Sequence, residues 1–150
     1  MTAGLQAVVF LDFDGVLHPR NAASSVEMFR GLLFLDEALG DSEDVGIVIT
    51  STWRHYPQDL AEAIGRFPAR LSRQILGSTP VQGGKVARED EISGWLNSAS
   101  IAPAKALILD DEPELFKLLF DQLLVVDGAV GLTGKDVSAI RIALVGCRQA

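Results

Sequence analysis

Two pairs of carboxylates follow apolar stretches of this sequence, at the points where those stretches end. Asp12 and Asp14 come directly after the apolar residues 7–11, and Asp110 and Asp111 follow a second apolar stretch. Carboxylates this close together repel one another unless a cation lies between them. Oxygen ligands of this kind suit Mg²⁺, which usually takes one or two carboxylates and keeps waters and a substrate phosphate as its other ligands. The two pairs therefore predict a site for a divalent metal.

Hydroxyl groups and a cation complete the set of groups that phosphoryl transfer needs. Thr50 and Ser51 end a third apolar stretch, and Lys85 and Arg88 precede a predicted helix. Hydroxyl and backbone donors can hold phosphoryl oxygens, and a cation can offset the charge that develops on them. One carboxylate can act as the nucleophile while a second moves the proton. The residue types thus indicate phosphate-ester chemistry.

The elements that must position these residues can be predicted from the apolar pattern. Apolar runs predict strands, and segments with helical spacing predict helices. The strands are expected at 7–11, 45–50, 105–109 and 123–126, with a possible short strand within 71–76, and the helices at about 26–39, 57–67, 88–98, 113–120 and 135–145. This alternation predicts a mostly parallel sheet covered by helices, a Rossmann-like three-layer α/β/α fold in one domain over residues 1–150. Because parallel strands share one carboxyl edge, the polar groups that follow them should meet there.

Composition and charge narrow the classes of partner. The net charge of −7 argues against strong non-specific binding to nucleic acid, which needs clustered Lys and Arg. No apolar stretch approaches the roughly twenty residues that a membrane helix needs. Cys147 is the single cysteine, so no disulfide within the chain is possible and a cytoplasmic location is expected.

Several motifs resemble those of the haloacid dehalogenase superfamily of phosphohydrolases. Residues 11–19, Leu-Asp-Phe-Asp-Gly-Val-Leu-His-Pro, look like its motif I, residues 47–51 like motif II and residues 107–111 like motif IV. A narrower pattern resembles the small domain of this superfamily first noted in "Swiss army knife" RNA-repair proteins. It comprises residues 11–19, Ser-Thr-Trp-Arg (51–54), Gly-Ser-Thr-Pro (77–80), residues 88–96 and Gly-Leu-Thr-Gly-Lys-Asp-Val (131–137).

The resemblance implies a role for each acidic residue of the two pairs. Asp12 would be the nucleophile and Asp14 the general acid and base. Asp12, the backbone carbonyl of Asp14, and Asp110 together with Asp111 would hold Mg²⁺.

Two positions of the family pattern have alternative occupants. The spacing after the strand points to Thr50 as the motif II hydroxyl, whereas the Ser-x-Trp-Arg pattern points to Ser51, which we prefer. Arg88 is preferred for the cation of motif III because of the Arg-x-x-Glu-Ile pattern, and Lys85 is the alternative. Both alternatives therefore stay open at each of these two positions.

The substrate phosphate is expected to contact residues that follow the first two strands. These are Gly15, Ser51, Thr52 and Arg54. An arginine can hold a phosphate through two parallel hydrogen bonds, although a surface salt bridge is the alternative for Arg54. His18 is expected to be structural.

The segments after the first two strands are too short for a large cap domain, so the resemblance implies an open site. The sequence thus predicts a Mg²⁺-dependent phosphatase for a phosphate ester, either a small molecule or a nucleic-acid end. Two alternatives remain: a non-catalytic module of the same fold that binds phosphate or a partner, and a receiver-like signalling domain. The oligomeric state is not predicted.

Overall fold

Five parallel strands form the sheet around which the chain folds. The computed structural model describes residues 3–81 and 87–150. Its strands are β1 (Ala7–Leu11), β2 (Val45–Ile49), β3 (Ile75–Ser78), β4 (Ala106–Asp110) and β5 (Leu123–Val125), in the order β3-β2-β1-β4-β5. Every residue of β1, β2 and β4 is buried, as expected for parallel strands that are covered on both faces. The predicted Rossmann-like α/β fold is confirmed.

Helices cover both faces of this sheet. They are α1 (Leu32–Leu39), α2 (Pro57–Gly65), α3 (Ala69–Ser72), α4 (Arg88–Ser98) and α5 (Gly134–Gln149), with 3₁₀ turns at Thr52–His55, Pro103–Lys105, Pro113–Leu115 and Phe120–Gln122. Side chains of β1 point alternately to the two faces. Val9 packs in one core with residues of α1, α2, α3 and α5, and Phe10 packs in the other core with residues of α4. Helix α4 therefore lies alone among the α-helices on its face of the described sheet.

The first helix is shorter than its predicted range of 26–39. It begins at Leu32, because Phe29 adopts a positive φ of 60° and the Gly31 N–H donates to the Leu17 carbonyl at 2.7 Å. Both features are incompatible with a continuous helix. Val26 is 85% exposed, whereas Phe29 is 5% exposed and packs in the core although it lies before the helix.

The predicted helix 113–120 is wrong. Only the 3₁₀ turns form between β4 and β5, and Glu89 of α4 accepts hydrogen bonds from the Lys117 N–H at 2.7 Å and the Leu119 N–H at 2.8 Å. A side chain from another element thus satisfies backbone donors that a helix would have paired internally.

Two smaller differences concern segment ends. Leu71 belongs to α3, and the short strand predicted near it begins only at Ile75. The last helix starts as predicted after Thr133, which forms a capping box with Asp136, but it extends to Gln149.

The link between β1 and α1 bears on access to the carboxyl edge. Residues 12–31 contain turns and an isolated bridge between Asp14 and His18. This agrees with the expected minimal cap. None of the helices in the described part of the chain is both long and apolar enough to span a membrane.

Candidate active site

Three buried carboxylates meet at the carboxyl edge of the sheet. Asp12 follows β1, Asp110 ends β4, and Asp111 comes next; β1 and β4 are hydrogen-bonded neighbours. Each of the three residues is less than 9% exposed. One oxygen from each carboxylate lies within 4.8 Å of those from the other two. Asp12 of the first acidic pair thus lies beside both members of the second pair, as the strand ends predicted.

Arg88, the first residue of α4, links two of these carboxylates. Its Nη1 donates to Asp12 Oδ2 at 3.1 Å and to Asp110 Oδ2 at 2.7 Å. Its side chain is 14% exposed, so the charge lies largely inside the site. This is the place expected for the cation of motif III, whereas the alternative, Lys85, lies outside the described residues.

The two oxygens of Asp111 have different surroundings. Oδ2 accepts hydrogen bonds from Arg20 Nε at 2.8 Å and Nη2 at 2.6 Å. Oδ1 is buried and has no hydrogen-bond partner among the described residues. A buried carboxylate oxygen without a donor is costly, and a cation at that point would remove the cost. The cluster of oxygen ligands therefore fits a divalent metal such as Mg²⁺.

Burial sets the ionisation of the cluster. Loss of solvation raises the pKa of Asp12 to about 7, although the charge of Arg88 opposes the shift. Burial also raises the pKa of Asp110, again against Arg88. Additional positive charge would favour the ionised carboxylates. The buried site therefore disfavours the negative charge of its own carboxylates and favours the binding of a cation.

Asp14 lies outside this carboxylate cluster and is held by two other side chains. His18 Nε2 is 2.7 Å from Asp14 Oδ1, and the indole Nε1 of Trp53 is 3.3 Å from Oδ2. The hydrogen bond with His18 is the main reason why the pKa of Asp14 is lowered. The Asp14 side chain is 45% exposed, so it can exchange protons with solvent. A metal contact through its backbone carbonyl stays a prediction.

The hydroxyl residues end β2 beside β1. The Thr50 N–H donates to the Leu11 carbonyl at 2.9 Å, and Ser51 Oγ accepts from the Trp53 N–H at 3.2 Å. Ser51 thereby caps the 3₁₀ turn that begins at Thr52, which is exposed. The structure leaves both Thr50 and Ser51 as candidates for the motif II hydroxyl.

Gly15 has a structural role at the same edge. Its φ of +81° suits glycine, and its N–H already donates to the His18 carbonyl at 2.9 Å. A Cβ at Gly15 would overlap the Asp111 carboxylate. A substrate contact at Gly15 stays a prediction.

Arg54 is buried rather than exposed to a substrate. Its Nη1 donates to the carbonyls of Thr50 at 2.6 Å and Ser51 at 3.0 Å, and its Nη2 donates to Glu91 Oε2 at 2.5 Å. Both terminal nitrogens are therefore engaged inside the protein. This weighs against the predicted contact of Arg54 with phosphate, and the alternative of a surface salt bridge is wrong because the pair is buried.

Three residues that hold the site or its neighbouring loops in place were not predicted from the sequence. Arg20 lies in a turn outside every recognised catalytic position, and Glu89 and Glu91 fall in the acidic first turn of α4. Acidic residues are common there because they complement the helix dipole. Both glutamates lie within residues 88–96 of the family-like motif, and Glu91 is the glutamate of the Arg-x-x-Glu-Ile pattern, but nothing in that pattern indicates the partner of either one.

A comparison with known families agrees with this geometry. The family model described as "HAD domain in Swiss Army Knife RNA repair proteins", where HAD stands for haloacid dehalogenase, matches residues 8–137. The chain belongs to this family. The match spans Asp12 to Asp111 and confirms the resemblance drawn from the motifs. No curated protein and no solved structure gave a significant match. A HAD domain of this type indicates phosphohydrolase-type chemistry with a divalent metal.

Proposed function

We propose that this HAD domain is a Mg²⁺-dependent phosphatase that hydrolyses phosphate monoesters through a phosphorylated Asp12. The observation that carries the proposal is the contact of Arg88 with both Asp12 and Asp110, beside the buried Asp111 oxygen that has no hydrogen-bond partner in the part of the chain that the structure describes. The Arg88 guanidinium thus offsets the charge of both Asp12, the proposed nucleophile, and Asp110, a proposed metal ligand. A purely structural cluster would have no need of a free, buried carboxylate oxygen.

Hydrogen bonds to both carboxylate oxygens hold the Asp12 side chain in a fixed orientation, which suits a nucleophile. The Phe13 N–H donates to Oδ1 at 2.8 Å, and Arg88 donates to Oδ2. In the first step a carboxylate oxygen of Asp12 forms a bond to phosphorus as the ester P–O bond breaks. In the second step water attacks the same phosphorus, the bond to Asp12 breaks, and phosphate leaves.

Asp14 is placed to move the proton in these steps. As general base it takes a proton from the attacking water, and as general acid it gives one to the leaving oxygen. The hydrogen bonds from His18 and Trp53 favour its ionised form, which suits the base role. We therefore expect the fastest turnover with esters whose leaving groups depart without protonation, such as aryl phosphates.

The remaining groups bind the phosphate and the metal. Asp12, Asp110 and Asp111 would hold Mg²⁺, which when bound offsets charge on the phosphoryl oxygens. Thr50, Ser51 and Thr52 are the proposed donors around the phosphate, and Gly15, whose N–H already donates to the His18 carbonyl, is proposed to contact the phosphate only by lining the site. Arg88 supplies positive charge from the protein itself.

The candidate substrate classes are proposed from two features, the open site and the family to which the chain belongs. The family name associates these domains with RNA repair, so a nucleic-acid end is one candidate, and a small phosphate ester is the other. The net charge of −7 favours contacts with the end of a nucleic acid over broad binding along it. We also propose a cytoplasmic location and a single domain over residues 1–150.

The test is hydrolysis of p-nitrophenyl phosphate with and without Mg²⁺. Asp12→Asn should lower kcat at least about 1,000-fold because the nucleophile is lost. Asp127→Asn is the matched control, since Asp127 is an exposed turn residue that accepts from the Ala129 N–H at 3.0 Å. Hydroxylamine should release labelled phosphate from wild type and not from Asp12→Asn.

Other outcomes would count against the proposal. Full metal-dependent activity in Asp12→Asn would show that another residue is the nucleophile. Phosphate binding without turnover by wild type would favour the non-catalytic module.

A further inference from the structure

A buried ion pair joins α4 to the loop that follows β2. Arg54 Nη2 lies 2.5 Å from Glu91 Oε2, and the two side chains are 4% and 9% exposed. Removing one partner of a buried pair leaves an uncompensated charge, which is strongly destabilising for the local arrangement. The pair therefore fixes the distance between α4 and the β2 loop.

The same arginine also holds the backbone of the phosphate loop, which we define as residues 50–54. Its other terminal nitrogen, Nη1, donates to the carbonyls of Thr50 and Ser51. A planar guanidinium can satisfy three acceptors at fixed angles, which a lysine ammonium does less specifically. Two consecutive carbonyls at the end of β2 are thus set by one side chain.

Contacts continue from this loop to the proposed proton carrier. Ser51 Oγ accepts from the Trp53 N–H, and the Trp53 indole approaches Asp14 at 3.3 Å. Trp53 is further fixed by edge-on packing against Phe13 and Phe29, with ring centroids 5.9 and 5.3 Å away. A shift of the loop would move Ser51 and Trp53 together.

We propose that the Glu91–Arg54 pair is a positioning device for the phosphate loop and, through Trp53, for Asp14. Arg54 is thus a positioning residue and not a ligand of the substrate. The kinetic part of this inference rests on the proposed phosphatase function, whereas its structural part does not.

The kinetic test compares Glu91→Gln, Arg54→Gln and the double variant with p-nitrophenyl phosphate. Because misplacement of about 1 Å can cost about 100-fold, each single variant should lower kcat about 10- to 100-fold. The double variant should be no worse than the poorer single one, because both changes remove the same device. KM and the inhibition constant of inorganic phosphate should change by similar factors in the two single variants, because either change moves the same phosphate donors of the loop.

Two further variants serve as controls. Glu62→Gln breaks an exposed pair with Arg66, whose charged atoms are 3.8 Å apart, and should leave kcat unchanged. Arg54→Lys keeps the positive charge without the planar geometry and should recover part of the kcat lost in Arg54→Gln; it also carries the test if Arg54→Gln does not fold.

A spectroscopic measurement makes the inference independent of turnover. In ¹⁵N-edited NMR spectra, Glu91→Gln should shift the Ser51 backbone amide and the Trp53 indole signal, whereas Glu62→Gln should shift neither. If wild type hydrolyses no ester but these shifts appear, the phosphatase proposal fails and the positioning role stands.

The inference is overturned if Arg54→Gln weakens phosphate inhibition about tenfold or more while Glu91→Gln leaves it intact, because Arg54 would then bind substrate directly. Unchanged kcat and unchanged spectra in Glu91→Gln would also overturn it.

Discussion

Arginine–carboxylate pairs occur at both edges of the sheet, but their surroundings differ. At the carboxyl edge, Arg54 and Arg88 are 4% and 14% exposed and pair with buried acids. Near the amino edge, Arg70 pairs with Asp36 and Arg148 pairs with Asp44, and the two arginines are 43% and 33% exposed. All four pairs have hydrogen-bond distances below 3 Å, so bond length does not separate them.

Burial of the carboxylates is what distinguishes the two edges, since even the exposed Arg20 pairs at the carboxyl edge with Asp111, whose side chain is 1% exposed. Exposed pairs gain little because water screens them, whereas buried ions must be compensated individually. Stability alone is a weak reason to bury several charges, since apolar residues pack there at less cost. The concentration of buried charge at the carboxyl edge therefore indicates a functional site, whereas the exposed pairs near the amino edge are ordinary surface contacts.

The largest effect that would sharpen this contrast is expected at Arg88. Arg88→Met should lower kcat by about 100-fold or more, because a preorganised cation is lost next to the reacting phosphate. Arg88→Lys should retain part of the activity. Steady-state kinetics with p-nitrophenyl phosphate measure both, with thermal unfolding as a check on folding. If Arg88→Met cost no more than Arg70→Met, the contrast between the edges would be broken.

The pH dependence of stability should have opposite signs at the two edges. The pKa of Asp12 is raised to about 7, so metal-free folded protein holds a proton that the unfolded chain releases near the ordinary value of 3.8. The free energy of unfolding should therefore fall as pH rises from about 4 to about 7. Asp12→Asn should flatten this fall, and Mg²⁺ should restore stability at pH 8. Urea unfolding in chelator at several pH values measures the slope.

Asp44 should behave in the opposite way. Its hydrogen bonds with Arg148 lower its pKa, so its contribution to stability is present above the ordinary pKa and is lost as pH falls through the lowered value. The slope that Asp44→Asn removes should lie below pH 4. A loss of slope between pH 5 and 7 in that variant would contradict the assignment.

The smallest effect is expected at the amino edge. Arg148→Gln should change the free energy of unfolding by no more than about 1 kcal/mol and should leave kcat unaltered, because the pair is partly exposed. The effect on stability should shrink further in high salt. Chemical denaturation at low and high salt, together with the phosphatase assay, provides the check.

The sequence predicted the parts of the molecule that depend on short apolar runs. Strands β1 and β2 are apolar throughout and β4 is apolar up to its last residue, Asp110, so the convergence of Asp12 with Asp110 followed from parallel topology. The surroundings of Arg54 could not be predicted, because its partner Glu91 is 37 positions away in the chain. The failed helix prediction after Pro113 has the same origin, since Glu89 takes backbone donors that local pattern assigns to a helix.

The first turn of α4 constrains how this chain can change in length. Within four positions, Arg88 contacts the carboxylates, Glu89 contacts the loop after β4, and Glu91 contacts the loop after β2. Each added or deleted residue rotates a helix by about 100° relative to its surroundings. An insertion inside this turn would therefore misdirect several of these side chains at once, whereas an insertion in the exposed segment around Val26 would disturb none of them. In a collection of functional variants, gaps should accumulate at the second place and be missing from the first.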